Sequence, residues 1–333
     1  MILPINAMKE MCFTLFQKAG YSIDDTNVIF DHLLDEELLG RNTHGFLRVA
    51  SILAAAEVMD PSARSLDVRR INDFATKVTA RNVLGLVAAK HASDIACENA
   101  ARGGLSLTGL TGYKGNTGAL GYYARIFAKQ GLVSIICCTA MSMVAPWGGK
   151  DPIFGTNPIA ISIPNGDNPV IIDFGTAATT YGAVILAAKE RRQLPPGMIL
   201  DGEGRPSTDP ADLQGGSLLP MAEHKGYALG LAVEVLGGLF IGAKSGKHAV
   251  RGTSGVTILA FKPDLFISQE EYMQNIAALV EEILSSSLAA ESKGIRLPGQ
   301  NSLATVERGR KSGECEVPDV VYKEIVDLYN QAG

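Results

Sequence analysis

Apolar side chains in the first sixty residues recur with helical spacing. Within 8–19, Met8, Met11, Cys12, Leu15 and Phe16 share one face, and Gly20 supplies a stop. A second helix is expected from a cap at Asp24 or Asp25 to Leu39, closed by Gly40. A third begins near Phe46 and runs through 54–56 to Pro61. Helical spacing returns at 269–288 and 319–331, with 296–299 as a loop between them. The middle of the chain has another rhythm. The runs 78–80, 105–110, 132–139, 159–164, 170–173 and 256–261 are β-branched or apolar and end in turn residues, as strands do. Helical stretches at 84–102, 118–130 and 225–241 separate them, and 194–216 is the one long loop candidate. The pattern implies an α/β fold in two parts: a helical domain from residues 1–75 with 265–333, and an α/β domain over 76–264.

Composition narrows the classes. A chain of 333 residues, 46% hydrophobic and 20% charged, can bury a sizeable core and is not disordered. Its formal charge of −5 and the lack of a basic stripe argue against nucleic acid as a partner. Five cysteines, an odd number without a C-x-x-C, suggest a reduced, cytoplasmic protein. The opening MILPINAMKEMCF carries Lys9 and Glu10 where a signal peptide would be apolar, and the apolar run 132–140 is too short to span a bilayer. No membrane partner is expected.

Several familiar chemistries are missing. There is no G-x-G-x-x-G between a strand and a helix, no H-E-x-x-H and no G-x-S-x-G. GAKSGK at 242–247 has the wrong glycine spacing for a phosphate loop, and His248 stands where Ser or Thr is needed. The histidines at 32, 44, 91, 224 and 248 lack metal-ligand spacing, so no metal is expected. His44 lies in the polar joint Arg41-Asn42-Thr43-His44-Gly45-Phe46-Leu47-Arg48. A histidine there can act as a general acid while Arg48, with its planar fork, grips a carboxylate. The alternative is a helix cap at Thr43 with a solvated His44. The two readings weigh about equally on the residues alone. Lys114, Asn116, Thr117 and Gly118 belong to a glycine-rich turn that opens a helix, either an anion cradle or an ordinary loop. His224 and Lys225 begin an apolar helix as caps or as ligand contacts. Trp147, the single tryptophan, sits in a loop with two glycines, a setting that suits a flat ring ligand.

The ordered segments THGFLR, GNTGALGYY, APWGG, FGTNPIAISIP, IIDFGT, PMAEHKGYALGL and RLPG span 43–299. Together they resemble the type-2 malate/L-lactate dehydrogenase family, which also includes ureidoglycolate and sulfolactate dehydrogenases and reductases of cyclic imine carboxylates. The resemblance implies a non-Rossmann NAD(P)-binding domain on a mostly antiparallel mixed sheet, helices from both chain ends, and a homodimer. It implies NAD or NADP as cofactor and a small 2-hydroxy acid or 2-oxo acid as substrate. Carried over by position, His44 is the proton donor and Thr43 the hydroxyl that orients it. Arg48 then grips the substrate carboxylate, with Thr156 beside it. Asn116, Thr117, Gly118, Met141, Ser142, Asp173, Phe174, Gly175, Thr176, His224, Lys225, Gly226 and Gly299 line the cofactor. This chain also departs from the pattern. Asn116 replaces a histidine that serves as the acid in some members, which leaves that work to His44. Gln300 replaces an acid after RLPG. Ala183 and Val184 stand where imine-reducing members carry an aspartate. A cyclic imine carboxylate reductase and an inactive metabolite-binding homologue are the alternative readings.

Overall fold

The computed structural model describes residues 1–249 and 252–332. A short strand, β1 (Ile2–Pro4), leads into helices α1 (Ile5–Lys18) and α2 (Ile23–Leu38). α1 buries Ile5, Met8, Cys12, Leu15 and Phe16, close to the expected stripe. Ser22, not Asp24 or Asp25, caps α2; its hydroxyl accepts the Asp25 N–H at 3.2 Å. The two aspartates occupy the first turn instead, where negative charge complements the helix dipole. The third expected helix is a single 3-10 turn, Phe46–Arg48, continued as α3 (Val49–Ala56).

The chain then runs through β2 (Ser65–Arg70), β3 (Ala75–Arg81), α4 (Gly85–Gly103), β4 (Leu105–Thr111), α5 (Leu120–Lys129), β5 (Val133–Cys138), β6 (Ile159–Ile163) and β7 (Val170–Phe174). After α6 (Tyr181–Lys189) come the two-residue strands β8 (Ile199–Leu200), β9 (Pro206–Ser207) and β10 (Ser217–Leu218), which form a small sheet across the expected long loop. Helix α7 (His224–Gly237), strand β11 (Gly255–Phe261), α8 (Gln269–Ser285), α9 (Ser302–Ser312), β12 (Glu314–Glu316) and α10 (Asp319–Ala332) complete it. The expected helix over 225–241 stops at Gly237. A Cβ there would lie 3.0 Å from the Cys137 backbone, so the helix end is pressed onto the sheet, and the chain turns at Gly238.

The seven-stranded sheet has the order β2-β3-β4-β11-β5-β6-β7. Every pairing is antiparallel except β3 with β4, and α4 supplies the crossover that a parallel pair requires. The mostly antiparallel mixed sheet expected from the resemblance is therefore present. Successive side chains on a strand alternate faces. Leu110, Ile136, Val256 and Ile258 point into the main core with α4, α5 and the terminal helices. Burying each contributes roughly 1.5–3 kcal/mol. The alternate positions meet α7 and the turn after it: Thr257 donates its hydroxyl to Leu236 O, and Gly109 lies against Ile241. A second, smaller core of Val144, Ala177, Val184, Ala187, Leu194, Ile199 and Leu218 sits under the small sheet. At the chain ends, β1 pairs with β12, α1 packs on α10 and α2 on α9, which joins the two ends of the chain.

Candidate active site

The loop 41–48 connects α2 to the 3-10 turn and is folded back on itself. The His44 N–H donates to Arg41 O at 2.8 Å, and the Arg48 N–H to Gly45 O at 3.0 Å. From below, the Glu37 carboxylate accepts the Phe46 N–H and the Asn42 side-chain amide, both at 2.8 Å. Gly45 is required there because a Cβ would fall 1.8 Å from Glu37 Oε2. Thr43 caps nothing: the residue before the 3-10 turn is Gly45, with no side-chain cap. His44 is half-buried rather than fully solvated. Burial, then the charge of Arg48, push its pKa down to about 4 against the pull of Glu36. At neutral pH the imidazole is uncharged.

Arg48 stands beside it. Its guanidinium enters no ion pair among the described residues, and its Nε is buried without a hydrogen-bond partner. Burial lowers its pKa and Tyr181 opposes that shift. The first turn of α6 lies against it. Thr180 caps α6 by accepting the Ala183 N–H at 3.1 Å, which sets the helix start. A Cβ on Gly182 would lie 2.5 Å from Arg48 Nη2 and 3.0 Å from Thr43 O, so only glycine permits this approach. A half-buried guanidinium without a counter-ion, set at a helix N-terminus, favours an anion by two independent effects.

A chain of charges lies behind. Arg41 binds Asp173 at 2.8 Å and lies 3.6 Å from Glu36; Arg125 binds Glu36 at 2.7 Å; Arg310 binds Asp35 at 2.7 Å and Asp31 at 3.0 Å. Burial works to raise the Glu36 carboxyl, and Arg125, His32 and Arg41 together outweigh it. Asp173 also accepts the Gly121 N–H, and burial leaves its pKa raised despite Arg41. Next to it, His32 Nε2 accepts the Ala119 N–H at 3.0 Å, and burial drives that ring down to about 3. The start of α5 is thus met by the chain's own Asp173 and His32. Within the preceding turn, Asn116 accepts the Gly118 N–H at 3.0 Å, and Tyr123 donates to Thr117 O at 2.6 Å.

The remaining expected residues form a connected rim. Thr176 donates its N–H and hydroxyl to Thr156 O at 2.8 and 3.2 Å, and Gly175 lies against the same carbonyl. Met221 donates to Thr176 O at 2.9 Å, which brings the start of α7 alongside. Entry to α7 passes through two left-handed residues, Ala222 (φ 44°) and Glu223 (φ 59°), and exposes His224 and Lys225. Gly226 is forced, since a Cβ would meet Met221 O at 1.9 Å. Gly155 packs on the Ala140 backbone, so Met141 and Ser142 neighbour Thr156; Ser142 donates to Ile153 O and Gly246 O. Phe174 is exposed at the end of β7. Gly299 is not joined to this rim. It packs on Ile171, toward the other end of β7, and Gln300 holds its turn by accepting the Leu297 N–H at 3.0 Å.

Sequence reasoning missed His32, Glu36, Glu37, Asn157 and Gly182. The first three share the buried stripe of α2 with Ile29 and Leu33, so charged residues on an apolar helix face were the available signal. Asn157, left-handed and fully buried, ties the turn after Thr156 to α7 through Gly230 O at 3.0 Å and Glu234 at 2.6 Å. No spacing announces it. Among the described residues no group of three or more His, Cys, Asp and Glu is placed to hold a metal, and no helix is long and apolar enough to cross a membrane.

Known proteins resemble this chain along most of its length. The chain is 29% identical over 322 residues to the malate/(S)-sulfolactate dehydrogenase of Methanothermus fervidus, covering 94% of this chain and 93% of that one. It is 33% identical over 306 residues to the (2R)-3-sulfolactate dehydrogenase (NADP(+)) of Chromohalobacter salexigens, covering 88% and 87%. The solved structure of sulfolactate dehydrogenase from Methanocaldococcus jannaschii superposes with a TM-score of 0.86 at 27% identity, covering 100% of this chain and 98% of that one. With residues 3–326 matched by the family's sequence model, the chain belongs to the malate/L-lactate dehydrogenase family.

Proposed function

We propose that the protein is an NAD(P)-dependent oxidoreductase that interconverts a small 2-hydroxy acid and its 2-oxo acid. The observation that carries this reading is Arg48, half-buried, with its Nε fully buried and unpartnered and no counter-ion among the described residues, beside an uncharged His44. A substrate carboxylate supplies the missing anion, held by Arg48 and the start of α6. That places C2 and its oxygen toward His44. In oxidation the neutral imidazole takes the hydroxyl proton. In reduction it must carry a proton, and the bound carboxylate favours this by cancelling the Arg48 charge that depresses its pKa. Thr43, packed with Arg48 against Gly182, orients His44, and Thr156 borders the substrate.

The donor set fits a dinucleotide. The start of α7 offers uncapped N–H groups beside His224 and Lys225, which suits phosphate, and exposed Phe174 gives a flat apolar surface. Asn116, Thr117, Gly118, Met141, Ser142, Asp173, Gly175, Thr176 and Gly226 complete the lining, with Asp173 acting through Arg41; Gly299 lies apart from it, against Ile171. A nicotinamide held there would supply or accept the hydride at C2, while the chain's own residues position the substrate and move the proton.

We further propose a cytoplasmic homodimer in which residues 1–75 with 265–333 form a helical unit around the cofactor-binding part, 76–264. Leu231, Val235, Leu236, Leu239 and Phe240 are exposed on α7 and the turn after it, an apolar surface suited to a second copy. The functional reading is tested with a panel of 2-oxo acids and cyclic imine carboxylates, each with NADH and NADPH. Turnover of 2-oxo acids is expected. Consumption of imines alone, or of nothing, overturns the reading.

A further inference from the structure

We propose that Glu37 is the positioning residue that holds the His44 loop in its working shape, clamping it from both sides. This rests on His44 being the proton-transfer group. The geometry is nearly symmetric about that residue. One carboxylate oxygen accepts the side-chain amide of Asn42, two residues before His44; the other accepts the N–H of Phe46, two residues after. Both contacts are 2.8 Å, and Glu37 itself is buried. Gly45 lies directly over the carboxylate with no room for a Cβ, so the loop is moulded on this group. An ionised carboxylate accepts both bonds at full strength. Protonation weakens one acceptor and adds an O–H, for which neither donor neighbour is an acceptor.

The clamp therefore depends on charge, and its surroundings do not supply a cation. Glu37 enters no ion pair among the described residues; Arg41 is directed instead to Asp173 and Glu36. The titratable group facing Glu37 from another element is the Cys315 thiol on β12, raised by its own burial and by Glu37 to about 11, hence neutral. Burial lifts the Glu37 carboxyl to about 7, against the two hydrogen bonds that oppose it. Deprotonation of Glu37 on going from acid to neutral pH then completes the clamp. His44 in the free enzyme titrates far lower, near 4. The two groups are separable by pH. For oxidation of a 2-hydroxy acid, kcat/KM reports the free enzyme, and an acidic limb near neutrality belongs to Glu37.

The test is the pH profile of kcat/KM in the oxidative direction for the parent, Glu37→Gln, Glu37→Asp and Asn42→Ala. In Glu37→Gln the side chain presents one acceptor and one amide to two donors, so kcat falls roughly 10- to 100-fold, as for a misplaced catalytic group, and the limb near neutrality disappears. Aspartate keeps the charge and restores the limb. Asn42→Ala removes one bond that favours the ionised form, so the limb moves to higher pH. A Glu37→Gln enzyme that keeps the parent's limb overturns the proposal, as does an unmoved limb in Asn42→Ala, which remains informative if Glu37→Gln does not fold. Failure of the His44 reading shows separately, as parent-like kcat in His44→Asn with whatever profile Glu37 gives.

Discussion

Replacing Gly182 by alanine separates the anion grip from the fold. The new methyl would lie 2.5 Å from Arg48 Nη2 and 3.0 Å from Thr43 O, where ordinary contact begins near 3.4 Å. The guanidinium is the free end of a long side chain, so it yields, by about 1 Å, and α6 stays in place. A displacement of that size at a substrate-positioning group costs on the order of 10²-fold in rate. That corresponds to about 2.7 kcal/mol of transition-state stabilisation. Stability should move the other way or hardly at all, because alanine is favoured over glycine in a helix by about 0.5–1 kcal/mol, which offsets the new contact. The assay is kcat/KM for the preferred 2-oxo acid, with thermal unfolding in parallel. In an Arg48→Ala background the same substitution should cost little, since the clashing group is gone. Parent-like kcat/KM in Gly182→Ala, or an equal loss in both backgrounds, would refute the placement of the substrate between Arg48 and α6.

The same geometry sets the outcome of other changes. His44→Ala should lower kcat by about 10²–10⁴ while NAD(P)H binding, read from Trp147 fluorescence, is unchanged. His32 is neutral in the folded state down to about pH 3, whereas an unfolded histidine takes up a proton below about 6.5. The unfolded state binds more protons in that window, so this group lowers stability as pH falls from about 6.5 toward 3. His32→Gln, measured by urea unfolding, should be less stable than the parent at pH 7.5, with the gap narrowing by roughly 2–3 kcal/mol near pH 4.5. A gap independent of pH would contradict the buried neutral ring. Leu236→Asp with Phe240→Asp should shift the protein from dimer to monomer in sedimentation; an unchanged dimer would place the interface elsewhere.

Much of the fold was legible because burial writes itself into period. The strands at 159–163 and 170–174 and helices α1, α2, α4 and α5 all carry apolar residues at the spacing their packing demands. β2 was not legible: SLDVRR is an edge strand with mostly exposed side chains, so nothing selects a period. α6 hides in TTYGAV because its glycine answers to Arg48 and not to helix propensity. α9 buries only Ser302 and Val306 and has no apolar stripe to read. The site divides in the same way. His44 and Arg48 are neighbours in sequence and could be found together. The ion pairs that support them join Arg41 to Asp173 and Arg125 to Glu36, 132 and 89 residues apart, and only the packing of α2 and its loop on α5 and the end of β7 brings them into contact.

If Arg48 is unpaired because it waits for a substrate carboxylate within reach of His44, the enzyme must distinguish an acid from its amide. That is measured as kcat/KM for a 2-oxo acid and for its uncharged amide, in the parent and in Arg48→Ala. The parent should prefer the acid strongly, by the several kcal/mol that a buried charged hydrogen-bonded pair contributes. Arg48→Ala should lose most of that preference while turning over the amide much as the parent does. Undiminished preference for the acid in Arg48→Ala would contradict this role for the arginine.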